Sequence, residues 1–276
     1  MSLITPSQLQ DLLEDPSLLV FDVRHNLFDV EAGRTSFREG HIPGAYHLHM
    51  DDDLSGEIIP GKTGRHPLPP VEVFTAKMSL FDLDAGKQVV VYDDKGGALA
   101  ARLWWMLRAI GHENVRVLDG GYPAWVHANL PVQTEQVPLP ATDYRRGAAA
   151  YPVSTYQLRT CGSAQIRQLD ESATLVDSRT AERYRGEHEP IDPVAGHIPG
   201  AVNYPWPDNL NADGTFKDQD QLKIRFATLG DKADDPIFYC GSGVTACHNL
   251  LAFERAFGRM GTLYAGSWSE FIVLSL

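Results

Sequence analysis

Apolar residues along this chain come in two kinds of run. "LLVFDV", "KQVVVYD", "VRVLDGG" and "DPIFYC" are short, nearly unbroken apolar stretches that end on a polar residue or a thiol, the pattern of strands buried on both sides. "GGALAARLWWMLRAIG" and "VTACHNLLAFERAFG" space their apolar residues at helical intervals and stop at glycine. Near the start, Thr5-Pro6-Ser7-Gln8 has the form of a helix N-terminus, with Thr as the cap, Pro at the first helical position and Gln two residues later to close a capping box. Buried strands alternating with helices predict an α/β fold, a mainly parallel sheet with helices on both faces. In such sheets ligands collect at the carboxyl ends of strands. Asp93 and Cys240 both stand at such ends.

The pattern occurs twice. "LVFDVR" at 19–24 returns as "LVDSR" at 175–179, and "GHIPGA" at 40–45 returns letter for letter at 196–201. "VVVYDDKGGALAA" at 89–101 parallels "PIFYCGSGVTA" at 236–246, and "VLDGGYPAW" at 117–125 parallels "LYAGSWSEF" at 263–271. A repeat this long, with its order preserved, is a duplicated domain rather than a solenoid unit. The Pro- and Ala-rich stretch without a period at 131–152 reads as the linker, giving domains at 1–130 and 153–276.

Composition narrows the chemistry mainly by exclusion. Of 276 residues, 43% are hydrophobic and 22% charged, which suits globular domains, and the net charge of −12 carries no overall basic footprint for nucleic acid. No apolar run approaches the ~18 residues of a membrane span. The N-terminal segment lacks the basic-then-apolar order of a secretory signal. The three cysteines, Cys161, Cys240 and Cys247, are too few and scattered for a disulfide framework, so a reducing cytoplasm is the expected compartment.

Cys240 is the candidate nucleophile. It ends a strand, is followed by Gly241, Ser242 and Gly243, and precedes a helix expected to begin near Val244. The small residues let the backbone curl closely, so the N–H groups from Gly241, Ser242, Gly243, Val244, Thr245 and Ala246 are expected to form a cradle that favours a thiolate. The other copy has Asp93 at the matching position, which marks a site active in one copy and lost in the other. A buried structural cysteine is the alternative reading. Cys247, inside the helix, reads as packing; Cys161 is expected to precede an opening helix with no strand before it, and has no counterpart in the site. A thiolate phosphatase needs an arginine where this loop has Ala246. Apart from Cys247-His248, adjacent residues that diverge on a helix, no histidines or cysteines pair at ligand spacing, so neither a metal nor another cofactor is expected.

These motifs resemble the two-domain rhodanese-like sulfurtransferases, which include thiosulfate and 3-mercaptopyruvate sulfurtransferases. The likeness rests on "GHIPGA" twice, "CGSGVTA", the aspartate in place of cysteine in the first copy and "YAGSW". It implies two tandem rhodanese-like domains, the first catalytically inactive and the second catalytic. It also implies transfer of a sulfane sulfur from a small anionic donor, through a Cys240 persulfide, to cyanide or a small-molecule or protein thiol. Ser242 and His41 match positions that assist proton transfer in the family, and Arg183 matches an arginine that binds the donor anion. A second family arginine follows a Glu-Pro pair, where this chain has Ile191 after Glu189-Pro190. Thiosulfate is therefore the favoured donor and 3-mercaptopyruvate the alternative. A persulfide carrier serving a partner protein is the rival class. Arg179 either joins the anion site or pairs with Asp177. His41, repeated as His197, serves either chemistry or the turn, and Trp268 either walls the site or packs in the core.

Overall fold

The computed structural model describes residues 2–139, 151, 153–170, 173–230 and 235–275. Most of the expected linker, 131–152, lies outside them. Among these described residues, ten strands form two five-stranded sheets. The first contains β1 (Leu3–Ile4), β2 (Leu18–Asp22), β3 (Ala45–His47), β4 (Gln88–Tyr92) and β5 (Val115–Leu118), in the order β1-β5-β4-β2-β3. The second contains β6 (Thr160–Cys161), β7 (Leu175–Asp177), β8 (Val202–Asn203), β9 (Ile237–Tyr239) and β10 (Thr262–Tyr264), in the order β6-β10-β9-β7-β8. All the pairings are parallel, and the second order repeats the first strand for strand. The duplication read from the motifs is thus a duplication of topology.

Local chemistry explains the elements. Thr5 caps the helix Pro6–Gln10, with its Oγ1 accepting from Gln8 N–H at 3.3 Å and Gln8 Oε1 accepting from Thr5 N–H at 3.0 Å. The helix Ala100–Ala109 packs on β4 and β5 and buries Leu103, Trp104, Trp105 and Leu107. Its counterpart Ala246–Phe257 packs on β9 and β10 and stops at Gly258, whose φ of +68° only glycine adopts without strain. Burying side chains of this size removes roughly 1.5–3 kcal/mol of exposure cost apiece, so these two helices hold the strand ends, and the loops above them, in place.

The repeated motifs are the same buried scaffold built twice. Arg24 pairs with Asp22 at 2.6 Å and donates to Gly40 O at 2.7 Å; Arg179 pairs with Asp177 at 2.6 Å and donates to Gly196 O at 2.6 Å. Tyr92 and Tyr239 hydroxyls accept the N–H of Ile42 and Ile198. His41 stacks on Phe37 with Nδ1 2.7 Å from its carbonyl, and His197 stacks on Tyr184 with the same 2.7 Å contact.

Two compact units result. One comprises Met1–Gly56, Pro69–Leu158 and Asp213–Thr215; the other comprises Glu57–Leu68, Arg159–Ala212 and Phe216–Leu276. The division expected at 131–152 puts Glu57–Leu68 in the first domain, whereas its contacts join it to the second unit. Arg65 N–H donates to Ser269 Oγ at 3.0 Å, and a Cβ on Gly64 would fall 2.6 Å from Gly266 O. Asp213–Thr215 is exchanged in the opposite sense. Cys161 also differs from expectation. It lies on a strand of its own, the short edge strand β6, and the helix after it is one turn, Ser163–Ile166.

Candidate active site

Cys240 leaves β9 at its carboxyl end, and the segment after β10 holds the turn that follows. Trp268 N–H donates to Cys240 O at 3.0 Å and Ser269 N–H to Gly241 O at 2.9 Å. Cys240 N–H donates to Ser267 Oγ at 3.0 Å, and that hydroxyl donates to Tyr264 O at 2.9 Å. Ser267 has φ +56°, a strained conformation for a residue with a side chain, at the position where the first copy has Gly121 at φ +60°. Gly243, at φ +76°, cannot be larger, because a Cβ there would lie 2.3 Å from Ala265 O.

Gly243 N–H donates to Cys240 Sγ at 3.2 Å, and among the described residues it is the cradle amide that reaches the sulfur. The first copy shows what such a loop can hold. Asp93 Oδ1 accepts from the N–H groups of Lys95 and Gly97 at 2.8 and 2.9 Å, and Oδ2 accepts from Leu99 and Ala100 at 2.7 and 2.8 Å. Four amides converge there on a carboxylate. By position along the loop, their counterparts beside Cys240 are Ser242, Val244, Ala246 and Cys247. A carboxylate is longer and branched where a thiol ends in one atom, and the amide that meets Sγ, Gly243, is the counterpart of Gly96 and lies outside that set of four. The helix starts at Ala246 rather than near Val244, and Cys247 donates its S–H to Gly243 O at 3.4 Å, bracing the turn.

Charged and proton-carrying groups surround the loop. Ser242 Oγ lies 2.7 Å from His66 Nδ1, both residues being buried. Arg183 grips Glu189 through Nε and Nη2 at 2.8–3.1 Å and reaches Asp192 Oδ2 at 3.0 Å. Arg65 Nη1 pairs with Asp192 Oδ1 at 2.6 Å. Both guanidiniums border Gly241, with Arg65 Nη2 3.1 Å and Arg183 Nη2 3.4 Å from the place a Cβ would take. Burial works to raise the Glu189 carboxyl, but its hydrogen bonds from Arg183, Asp192 N–H and Ile191 N–H outweigh this and hold it below the usual carboxylate range.

The side chains of the other expected site residues have protein partners of their own. Arg179 is almost fully buried and is committed to Asp177, Gly196 O and Glu189, so it repeats the structural role of Arg24. Trp268 is buried, donates from Nε1 to Val194 O at 2.9 Å and lies under the Arg179 guanidinium at 5.0 Å. The imidazole beside Ser242 is His66; His41 occupies the stacked turn position in the first unit. Cys161, with its thiol 4.0 Å from Leu263 O, is pushed up to about 12 by burial, followed by Asp235 and Glu270, and is therefore a poor nucleophile near neutral pH.

One group of described residues could hold a metal: His25, His49 and Asp51. The carboxylate stands 3.9 and 4.0 Å from the two imidazoles. Donors on a tetrahedral zinc with bonds near 2.0–2.1 Å lie closer, at about 3.3 Å from one another. His49 Nε2 also lies 2.8 Å from Val30 O, and Nδ1 accepts from Asp52 N–H. The spacing is wider than that of a tetrahedral zinc site.

Residues 5–128 and 163–273 match the rhodanese-like domain family. The chain belongs to that family. This rhodanese-like protein is 44% identical over 274 residues to a Pseudomonas aeruginosa protein provisionally named 3-mercaptopyruvate sulfurtransferase, covering 98% of this chain and 94% of that one. It is 38% identical over 274 residues to a Mycobacterium tuberculosis protein provisionally named thiosulfate sulfurtransferase SseB, covering 97% and 93%. The solved 3-mercaptopyruvate sulfurtransferase from Leishmania major superposes with a TM-score of 0.83 at 29% identity, covering 98% of this chain and 74% of that one. No helix among the described residues is long and apolar enough to cross a membrane.

Sequence reasoning missed Arg65, His66, Asp192 and Ser267. The first two sit in "GRHPLPP", a Gly- and Pro-punctuated stretch with no counterpart in the repeat, so comparing the copies could not flag it. Ser267 left a usable trace, a serine aligned with a glycine of the other copy.

Proposed function

We propose that the rhodanese-like protein is a sulfurtransferase that carries a sulfane sulfur from a small anionic donor through a Cys240 persulfide to cyanide or a thiol. The observation that carries this is the thiol itself: Cys240 Sγ accepts a backbone N–H in a loop whose twin gathers four amides on a carboxylate. The Cys240 thiolate attacks the outer sulfur of the donor, a new S–S bond forms, and the donor's old bond to that sulfur breaks. With thiosulfate the departing group is sulfite. With 3-mercaptopyruvate it is the pyruvate carbanion or enolate, which takes a proton. The Ser242–His66 pair, at 2.7 Å, is the proton route we assign to that step. The acceptor then attacks the terminal sulfur and returns the thiolate. The loop amides stabilise the persulfide, which is larger than the thiolate and extends towards the groups that Asp93 occupies in the other copy.

The test is thiocyanate formation from cyanide, with thiosulfate and with 3-mercaptopyruvate, by the wild type and Cys240→Ala. Loss of product with both donors in the variant is expected. Undiminished turnover by Cys240→Ala would remove the nucleophile. A carrier serving a partner protein would instead show a stable Cys240 persulfide with negligible turnover of either small donor.

A further inference from the structure

The reading of Cys240 as a sulfur-transfer nucleophile leaves open what holds the charged end of the donor. We propose that Arg65 and Arg183, bridged by Asp192, form a two-guanidinium subsite for the donor's oxyanion group, with Arg65 supplying the cation that Ile191 does not. This rests on the sulfurtransferase reading, but its geometry can be tested apart from it.

Asp192 is the brace. Its Oδ1 takes Arg65 Nη1 at 2.6 Å and its Oδ2 takes Arg183 Nη2 at 3.0 Å, so one buried carboxylate fixes both forks side by side. Two adjacent guanidiniums repel each other. Asp192 between them, and Glu189 on the far edge of Arg183, offset that repulsion and fix their orientation. Glu189 occupies Arg183 Nε and Nη2, which leaves the Nη1 end without a protein acceptor among the described residues. Arg65 Nη2 is in the same condition. These two nitrogens face the same spot, 3.6 Å and 3.1 Å from where a Cβ on Gly241 would be. The missing side chain at Gly241 leaves that spot open, one residue from the nucleophile.

The chemistry of the ligand follows from this layout. Arg65 and Arg183 are balanced in number by Asp192 and Glu189, so the subsite has no surplus cation to neutralise. It recognises its ligand by N–H donors from two directions, and an anionic group with two or more oxygens meets that requirement. A carboxylate next to a ketone qualifies, and so does the sulfonate-like end of thiosulfate. A neutral alkyl persulfide does not. The absence of arginine at Ile191 therefore does not count against a carboxylate donor, because a different segment of the chain supplies the second fork.

Alkylation of Cys240 tests the subsite without sulfur chemistry. Iodoacetate carries a carboxylate and iodoacetamide is its neutral isostere. The ratio of their second-order rates at Cys240, followed by peptide mass spectrometry on the full chain, reads anion guidance, and the neutral reagent corrects for changes in the thiol itself. Arg65→Gln is expected to lower the iodoacetate-to-iodoacetamide ratio roughly 10- to 100-fold, the loss of one charge-assisted contact. Arg65→Lys keeps a cation beside Asp192, guards against misfolding of the Gln variant, and should lower the ratio less. kcat/KM for 3-mercaptopyruvate and for thiosulfate should fall with it, mainly through KM. An unchanged ratio in folded Arg65→Gln overturns the proposal. A wild type that prefers iodoacetate yet gains no sulfur on Cys240 from either donor would leave the subsite standing and overturn the sulfur-transfer reading.

Discussion

At the scale of single residues, two small residues decide whether the loop can exist. Gly243→Ala forces a side chain onto φ +76° and towards Ala265 O at 2.3 Å. We expect a loss on the order of 2 kcal/mol or more, seen as a lower urea midpoint together with lost sulfur transfer. Ser267 acts from the other side. Ser267→Ala removes the acceptor for the buried Cys240 N–H and should cost about 1–3 kcal/mol, measurable by thermal unfolding, with slower alkylation of Cys240 if the thiol is displaced. Cys161 supplies a pH signature. Its folded pKa is raised by burial, from a reference of 9.0 to about 12, so the folded state holds the proton more tightly than the unfolded chain. Its contribution to stability is complete below pH 9 and is lost as pH rises through about 12. Cys161→Ala should flatten that alkaline loss in a pH series of unfolding curves. A slope identical to wild type would mean the thiol is not buried as described.

At the scale of elements, each strand-loop-helix unit is a device for presenting one position at a strand's carboxyl end. β4 with the helix Ala100–Ala109 presents Asp93, and β9 with Ala246–Phe257 presents Cys240. The apolar runs and glycine stops made these elements legible in the sequence, and the Thr5 capping box was read residue by residue because it depends only on neighbours three apart. The strand that carries Cys161 was missed because a two-residue edge strand is too short to carry a period. Asp93 also makes a prediction at this scale. Its carboxylate accepts from four loop amides, so Asp93→Ala strands buried donors, whereas Asp93→Asn keeps acceptor capacity on one oxygen. The alanine variant should unfold at distinctly lower urea than the asparagine variant. Equal midpoints would show that water replaces the carboxylate at little cost.

At the scale of the whole molecule, duplication explains which arginines and histidines were ambiguous. Motifs present in both copies, Asp22–Arg24 with Asp177–Arg179 and His41 with His197, make matching ion pairs and carbonyl contacts in each unit, with Arg179 pairing in addition with Glu189. Residues outside the repeat, Arg65 and His66, stand at the cysteine loop. Linear order hid them, because the segment Glu57–Leu68 joins the unit formed by the later part of the chain, and no local pattern announces such a crossing. The twin ion pairs should behave alike. Removing one partner of a buried pair costs about 3–5 kcal/mol, so Arg24→Met and Arg179→Met should each lower the denaturation midpoint by a similar amount, and a negligible effect of Arg179→Met would reopen a role for it in binding. The most direct test of the central claim is intact-protein and peptide mass spectrometry after brief exposure to either thiosulfate or 3-mercaptopyruvate. The expected result is one added sulfur atom on the Cys240 peptide, removed by cyanide with formation of thiocyanate and absent in Cys240→Ala. Sulfur found on Cys161 or Cys247 instead, or none on Cys240 with either donor, would contradict it.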